Sequence, residues 1–364
     1  MVSFRGERKR GKRGLRSQER RAAQGSSSSI LSLRTVHSSP WALVVITSMI
    51  LQSFPWAVKR LGVGKGVDST YDLGLMEGKI QSSWAAVQDH TRHFSDFTFV
   101  YPVISRRSQG LSIGVNLNPD KACNFNCIYC EVDRRTPGSV TEVDLSQMKD
   151  ELTAMVRFAK DGGLAKEPKF DEVPWLTREV KDIAFSGDGE PTMIRNFAEC
   201  VEAVIAVKQA EGLETTKIVL ITDAAGLDKL DVKRGLEEMD HNNGEIWGKL
   251  DAGTEEYFQV VNRTNVKFER ILNNLLNTSK ARPIIIQSLF FRVHGEAMGA
   301  SELEAYCGRL CDITNGGGQL SEVHLYTVSR PTPEAYATKL EMKELEQMAE
   351  IIRERTNHAV AVYP

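Results

Sequence analysis

The sequence is poor in cysteine and has no long apolar run. Six cysteines in 364 residues are too few to suggest an exported domain held by disulfides. The main apolar segment, residues 41–51, is short, since a membrane-spanning helix needs about twenty residues. The 40 residues before it exceed an ordinary signal peptide. We therefore expect no membrane anchor or export signal, and a cytoplasmic protein.

An excess of charge of one sign is also lacking. The chain has 46 Lys and Arg against 48 Asp and Glu, a formal net charge of −2. A chain with this balance has no general affinity for polyanions, so binding to RNA would need a local basic patch. We expect no binding to DNA. The content of 41% hydrophobic and 26% charged residues is ordinary for a globular protein.

Basic residues are instead concentrated near the start of the chain. Residues 5–21 contain nine Lys or Arg and two acidic residues, and a run of serines follows at 26–29. Such a segment cannot bury enough apolar surface to offset its chain entropy. We therefore predict that residues 1–85 form a disordered extension and residues 86–364 one domain. The extension is either an RNA-binding or targeting arm or a solvated tail.

Short apolar segments alternate with amphipathic segments over the rest of the chain. The apolar segments are predicted to be buried parallel strands, at 111–117, 182–185, 217–222, 246–250, 283–290 and 322–328. The amphipathic segments are predicted to be helices, at 145–159, 197–209, 268–278, 301–311 and 340–356. Six strands with crossover helices predict a parallel α/β sheet. Periodicity alone does not distinguish an open sheet from a barrel.

Three cysteines are close together in the sequence. Cys123, Cys127 and Cys130 have the spacing C-x3-C-x2-C, and Tyr129 stands before the last. Three thiolates leave one iron of a cubane iron-sulfur cluster open to a ligand that is not protein. A structural zinc ion is the alternative, but it usually takes four ligands, and the nearest upstream histidine is His93. The spacing therefore favours an iron-sulfur site over zinc or a disulfide.

A second motif, Phe-Ser-Gly-Asp-Gly-Glu-Pro-Thr at 185–192, follows the cysteines. The two motifs, in this order along alternating strands and helices, resemble the radical S-adenosylmethionine (SAM) superfamily. Within that superfamily, residues 110–119, 249–253 and 325–331 are most similar to a poorly characterised bacterial group that is distantly similar to wyosine-forming tRNA enzymes.

The resemblance implies a partial, six-stranded (β/α) barrel. In parallel barrels the functional residues lie at the carboxyl ends of the strands. The motifs of this chain fall at such ends: the cysteines follow the first strand, 186–191 the second, Thr222 and Asp223 the third, Asp251 the fourth and Arg330 the sixth.

The resemblance also implies a [4Fe-4S] cluster on Cys123, Cys127 and Cys130, with SAM chelating the open iron. One electron then cleaves SAM to methionine and a 5'-deoxyadenosyl radical, while the protein positions the reactants and excludes water. The residues expected to bind SAM are Tyr129, Ser186, Gly187, Asp188, Gly189, Glu190, Thr222 and Asp251. Glycines in this motif are expected to allow close approach of the backbone and positive φ, and Asp188 or Glu190 to meet the SAM amine.

Three residues are candidates for the reaction itself. Lys249 shares a strand face with Asp251 and is either an imine former or base or a salt-bridged lysine. Arg263 and Arg330 bind either an anionic substrate or the SAM carboxylate, or they form structural ion pairs.

The other cysteines, Cys200, Cys307 and Cys311, form no second triplet, and none precedes Cys123. Wyosine-forming enzymes hold a second cluster on upstream cysteines, so this departure argues against pyruvate chemistry and a tRNA substrate. We expect an enzyme that acts on an RNA base or a small metabolite and is reduced by a flavodoxin or ferredoxin. The alternative is a non-catalytic iron-sulfur protein on the same barrel.

Overall fold

The computed structural model describes residues 80, 83–89, 91–138 and 140–364. The basic segment 5–21, the apolar segment 41–51 and most of the predicted extension lie outside the described residues, so the disorder of the extension stays a prediction. Ile80 belongs to that extension, yet it is 5% exposed and packs in the main core. In the described ranges, no helix is both long enough and apolar enough to cross a membrane.

Ten strands lie in the part of the chain that the structure describes. They are β1 (Val100–Ser105), β2 (Gly110–Val115), β3 (Val180–Phe185), β4 (Lys217–Thr222), β5 (Gly244–Lys249), β6 (Ile284–Leu289), β7 (Phe291–Val293), β8 (Leu320–Tyr326), β9 (Ala337–Lys339) and β10 (Val360–Tyr363). Eight form one sheet in the order β1-β2-β3-β4-β5-β6-β8-β10, and β7 pairs with β9. Neighbours in the large sheet are parallel, except that β1 and β2 are antiparallel.

Each parallel connection in this sheet passes through at least one helix, because parallel strands need a long crossover. The helices are α1 (Ala85–Gln88), α2 (Leu145–Lys160), α3 (Phe197–Ala210), α4 (Leu230–Asp240), α5 (Glu255–Asn262), α6 (Phe268–Ala281), α7 (Ala300–Asn315) and α8 (Met342–Thr356). Short 3-10 turns lie at Leu164–Lys166, Pro168–Phe170, Pro174–Thr177 and Pro191–Met193. Side-chain caps fix two helix starts: Asp144 accepts from backbone N–H groups of α2, and Thr254 from one of α5.

The sheet is covered on both faces. β2 and β6 are buried at every position, as expected of parallel strands between two layers. One face packs against the helices in the main core. A smaller apolar cluster, Ala184, Val219, Trp247 and Ile285, is separate from that core. Ala184 and Trp247 also line a cavity, so this cluster forms the apolar part of the space that the sheet encloses.

The predicted partial barrel is confirmed, and its six parallel strands, β2 to β6 and β8, lie within two residues of their predicted bounds. The sheet is larger than predicted, because β1 adds an antiparallel strand at one edge and β10 a parallel strand at the other. Pro102 in β1 is typical of an edge strand, since proline cannot donate a backbone hydrogen bond. The helices α4 and α5 are also additional to the prediction.

Candidate active site

The three clustered cysteines follow β2 and line one cavity of about 290 Å³. All three are partly exposed. The loop that carries them is fixed to the end of α5: the backbone N–H of Asn126 donates to the carbonyl of Asn262 at 3.1 Å, and that of Ile128 to Val261 at 3.0 Å. The thiols are therefore held on one wall of the cavity by backbone contacts to a neighbouring helix.

Each of these sulfurs lies near an N–H donor. The backbone N–H of Phe125 lies 3.5 Å from Cys123 Sγ, Asn262 Nδ2 lies 3.4 Å from Cys127 Sγ, and Arg134 Nη2 lies 3.5 Å from Cys130 Sγ. Hydrogen bonds to sulfur stabilise thiolate charge and tune the potential of an iron-sulfur cluster. Burial raises the pKa of Cys127 to about 12 and raises the pKa of Cys123 as well. Burial therefore favours the protonated form of Cys123 and Cys127, and a bound metal would favour the thiolate.

The three thiols are candidate ligands for an iron-sulfur cluster. Among the residues that the structure describes, no three His, Cys, Asp or Glu side chains are close enough together to hold one metal ion. An iron-sulfur cube does not need such convergence, because each thiolate binds a different iron. Three partly exposed sulfurs on the wall of one cavity, each with a nearby N–H donor, fit that requirement.

The glycines of the second motif pack against the start of the cysteine loop. A Cβ on Gly187 would lie 2.3 Å from Asn116 Oδ1, and one on Gly189 would lie 2.0 Å from the carbonyl oxygen of Ala122. Neither glycine has a positive φ, so the expected use of that conformation is wrong. The backbone N–H of Glu190 donates to the same Ala122 carbonyl at 3.0 Å. The two motifs are therefore joined directly by close backbone contact.

Glu190 is a buried connector between the ends of β3 and β4. Its Oε1 accepts from the backbone N–H and hydroxyl of Thr192, at 3.1 and 2.6 Å, and from the hydroxyl of Thr222 at 2.6 Å. Its Oε2 accepts from the backbone N–H of Asp223 at 2.8 Å. Glu190 and Thr222 line the cavity, but the carboxylate is already well supplied with donors.

Asp188 and Ser186 are also engaged by protein groups. Asp188 pairs with Arg92 at 3.2 Å and accepts from Asn116 Nδ2 at 2.7 Å. The hydroxyl of Ser186 lies 3.1 Å from that of Tyr101.

The cavity beside the cysteines is also lined by Ser186, Gly187 and Gly189. The structure thus brings this motif to the cysteine loop, while its contacts with SAM stay predictions.

Asp223 is a candidate site residue that sequence reasoning placed at a strand end but did not single out. Its Oδ1 accepts from the backbone N–H of Ala225 at 2.8 Å, whereas Oδ2 is buried with no hydrogen-bond partner in the described part of the chain. Asp223 lines the same cavity as Cys123. Burial raises the pKa of Asp223 well above its usual value, and the nearby Glu190 carboxylate raises it further. An acceptor in this position suits a hydroxyl or ammonium group of a ligand.

Asp251, in contrast, is surrounded by protein donors. Tyr129 OH donates to its Oδ2, Leu289 N–H donates to its Oδ1 at 2.9 Å, and Asn262 Nδ2 lies 3.3 Å away. Lys249 Nζ lies 3.2 Å from Oδ1. Tyr129 lines the cavity and Asp251 lies behind it. The predicted contact of Asp251 with SAM stays a prediction that this geometry does not favour.

Lys249 lines the cavity as a paired cation. Besides Asp251, its ammonium donates to Tyr326 OH at 2.7 Å and lies 5.1 Å from the ring centroid of Tyr129. Burial alone would lower the pKa of Lys249, but the Asp251 carboxylate, Tyr326 and Cys127 together outweigh burial, and the pKa lies above its usual value. An imine former needs a neutral amine, so this geometry favours the salt-bridged alternative.

The two arginine candidates differ in their position relative to the cavity, which only Arg330 lines. Arg263 pairs with Glu334 at 2.6 Å and donates through Nε to the carbonyl of Asn126 at 2.7 Å. It supports the cysteine loop from outside the cavity. Arg330 lines the cavity and pairs with Glu131, next to Cys130.

Comparison with curated proteins gives distant relatives. No family model matches the chain. A UPF0026 protein of Helicobacter pylori is 25% identical over 233 residues, which cover 64% of this chain and 66% of that protein. The UPF0026 protein slr1464 of Synechocystis is 28% identical over 49% of this chain and 58% of its own length. The GTPase Obg of Brachyspira hyodysenteriae is 25% identical over 48% of this chain and 22% of that protein. The chain spans less than two thirds of the length of each of these relatives.

Two solved structures are similar over about two thirds of this chain. Streptococcus suis SuiB bound to S-adenosylmethionine has a TM-score of 0.47 at 12% identity, over 69% of this chain and 50% of that one. TYW1 with a lysine-pyruvate adduct has a TM-score of 0.44 at 17% identity, over 67% and 73%. At these levels of sequence identity the likeness is one of fold alone. In this chain the parallel strands β2 and β3 lead into the cysteine loop and the glycine-rich turn, which both line one cavity.

Proposed function

We propose that this protein is a radical SAM enzyme that reductively cleaves SAM at a [4Fe-4S] cluster and acts on an RNA base or a small metabolite. One observation carries the proposal. Three thiols with nearby N–H donors share a cavity with the glycine-rich turn and with the unpartnered carboxylate oxygen of Asp223. Such a cavity offers cluster ligands on one wall and polar contacts for a ligand on another.

Cys123, Cys127 and Cys130 would hold the cluster. When bound, the cluster would supply the electron that breaks a C–S bond of SAM and gives methionine and a 5'-deoxyadenosyl radical. Asn262 and Arg134 donate toward the sulfurs and so stabilise negative charge there.

Other residues of the cavity orient the ligand and exclude water. Asp223 Oδ2 is free to accept from the SAM amine or a ribose hydroxyl, and the Ser186 hydroxyl lies on the same cavity wall. The apolar side chains of Phe125, Ile221 and Leu289 also line the cavity. A dry, shaped cavity protects a reactive radical from side reactions.

We also propose a cytoplasmic location and a flavodoxin or ferredoxin as the electron donor. An iron open to ligands is sensitive to oxygen, and the reaction needs a supply of single electrons. We expect no DNA or membrane partner. Fractionation of cells that express the full chain tests the location, and a stable association with membranes at high salt would contradict it.

SAM cleavage is the direct test of the proposed enzyme. With dithionite and SAM under anaerobic conditions, the reconstituted protein should release 5'-deoxyadenosine slowly even without its substrate. Mass spectrometry of the small-molecule fraction measures the product, and the same reaction without dithionite is the control. A protein that carries its cluster and binds SAM but never releases this product would instead be the non-catalytic iron-sulfur protein.

Asp223→Asn should weaken SAM binding and stabilise the empty protein. Loss of one hydrogen bond to a charged group should weaken SAM binding by about tenfold. A carboxyl whose pKa is raised in the folded state costs stability as the pH rises above its unfolded value of 3.8. The gain in melting temperature from Asn should therefore grow as the pH is raised above 3.8.

Equilibrium dialysis and thermal melting measure the two effects of this substitution. Asp312→Asn is a matched control, because Asp312 is exposed and pairs only with Arg309 on the surface of α7. Unchanged SAM affinity together with the gain in stability would show that Asp223 does not contact SAM.

A further inference from the structure

Three arginines lie around one part of the cavity, and none of them belongs to the cysteine loop or the glycine-rich motif. Arg106 and Arg107 come from the turn between β1 and β2, and Arg330 follows β8. All three line the cavity. Arg106 Nη2 donates to the hydroxyl of Ser329 at 3.2 Å. The turn at one edge of the sheet thus reaches the segment that follows β8.

Two of these arginines have buried N–H groups without a partner. Arg106 Nη1 and Arg330 Nε are buried and make no hydrogen bond in the described part of the chain. A buried donor left without an acceptor is costly, and native structures rarely keep one unless a ligand, ion or water completes it. We therefore expect a ligand to supply the hydrogen-bond acceptor that each of these two nitrogens lacks in the described part of the chain.

Arg107 is held by aromatic rings instead of an acid. Its guanidinium carbon lies 5.3 Å from the ring centroid of Trp247 and 5.1 Å from that of Tyr326. Cation–π contacts of this kind orient the guanidinium plane without neutralising its charge. The buried Asp182 carboxyl is near Arg107, but burial raises the pKa of Asp182 and so disfavours its charged form.

Positive charge is in excess at this part of the cavity. Of the other cations of the wall, Arg92 pairs with Asp188 and Lys249 with Asp251, while Arg134 belongs to the segment just after the cysteines and donates toward Cys130 Sγ. Among the three arginines, only Arg330 has a carboxylate partner in the described residues, which is Glu131.

Burial, with the charges of Arg107 and Arg330, lowers the pKa of Arg106 to about 10. Arg106 stays protonated at neutral pH, and an anion among the three would relieve their repulsion.

Two more polar atoms of the cavity wall have no hydrogen-bond partner in the described part of the chain. Asp182 Oδ2 and Gln287 Nε2 are buried without a hydrogen bond in the described residues, and both side chains line the cavity. One is an acceptor and the other a donor. A ligand that reaches them needs polar groups of its own beyond its anionic end.

We infer that Arg106, Arg107 and Arg330 bind an oxyanion group, a phosphate or a carboxylate, of a small polar substrate. A guanidinium fork matches both groups in charge and geometry. The arginines line a cavity of about 290 Å³, a size that suits a small molecule, so we assign a small molecule and not a nucleic acid. The inference rests on the proposed function, because it places the substrate in the same cavity as the cluster and SAM.

Titration calorimetry of the anaerobically reconstituted full chain tests this assignment. Inorganic phosphate and succinate serve as the two probes, at constant ionic strength. We expect saturable binding of one of them, and the tighter probe identifies the anionic group. Arg106→Gln and Arg107→Gln should each weaken that binding by about tenfold, the effect of losing a charge-assisted hydrogen bond.

Arg135→Gln is the control, because Arg135 is 91% exposed and pairs with Asp133 on the surface. It should bind the probe as the wild type does. Iron content and melting temperature check that each variant folds, and Arg106→Lys, which keeps the charge but not the fork, should have intermediate affinity.

Three outcomes would overturn the assignment. Equal binding to wild type and both glutamine variants would show a nonspecific effect. Displacement of SAM by the probe in the wild type would assign the arginines to the SAM carboxylate. Tighter displacement of the probe by a short oligoribonucleotide would indicate RNA. Phosphate or succinate binding without any SAM cleavage would instead refute the proposed function and leave the anion site standing.

Discussion

Replacement of any one of Cys123, Cys127 or Cys130 with Ala should abolish both bound iron and the brown colour of the anaerobically reconstituted protein. The wild type should bind about four irons, as a [4Fe-4S] cluster requires. The cavity wall offers these three thiols, so loss of one leaves two irons without a protein ligand instead of one. Iron analysis and absorption spectroscopy measure the effect, which should be close to complete.

Cys311→Ala is the matched control for these variants. Cys311 is partly exposed, as the three clustered cysteines are, but it lies in α7 and its sulfur donates to the carbonyl of Arg355 at 3.9 Å. This variant should keep its iron. If Cys311→Ala or Cys200→Ala lost the iron while the clustered variants kept it, the cluster would be elsewhere.

Features that are local in sequence are the ones that could be predicted. The spacing of Cys123, Cys127 and Cys130 fits within eight residues, and the parallel strands appear as short apolar segments. The partial barrel then follows from strand order and the motif resemblance. The edge strands β1 and β10 add little signal, because β1 contains Pro102 and β10 has only four residues.

The strand-end acids show where sequence reasoning stops. Asp223 and Asp251 both follow parallel strands, and their sequence surroundings do not distinguish them. In the structure, the Asp251 carboxylate already accepts hydrogen bonds from other segments of the chain, including those from Tyr129 and Leu289. Asp223 keeps one buried oxygen that has no hydrogen-bond partner among the described residues. Which acid remains available to a ligand depends on tertiary neighbours that no local pattern encodes.

For a similar reason, the sequence alone does not predict that the arginines of the β1–β2 turn line the cavity. Arg106 contacts Ser329, 223 residues away, and Arg107 lies over the rings of Trp247 and Tyr326. In sequence, two arginines in a polar turn indicate an exposed loop. Only the tertiary fold brings that turn to the cavity.

Gly189→Ala should destabilise the protein and disrupt the cysteine loop together. An added Cβ would lie 2.0 Å from the carbonyl oxygen of Ala122 and 2.5 Å from Cβ of Asn118, and both belong to the segment that leads into Cys123. Neither atom is the end of a flexible side chain, so the loop itself has to move. Overpacking of this kind costs about 1–3 kcal/mol, and we expect a lower melting temperature, less bound iron and loss of SAM cleavage.

Gly308→Ala separates this effect from the general effect of adding a methyl group. A Cβ on Gly308 meets nothing within 4 Å, and the residue lies inside α7, where alanine is favoured over glycine by about 0.5–1 kcal/mol. This variant should melt at a higher temperature and keep its iron. If Gly189→Ala bound iron and cleaved SAM as well as Gly308→Ala does, the close contact between the glycine-rich turn and the cysteine loop would not be needed for the site. In that case we would attribute the shape of the cavity to the hydrogen bonds that Glu190 accepts from Thr192, Thr222 and Asp223.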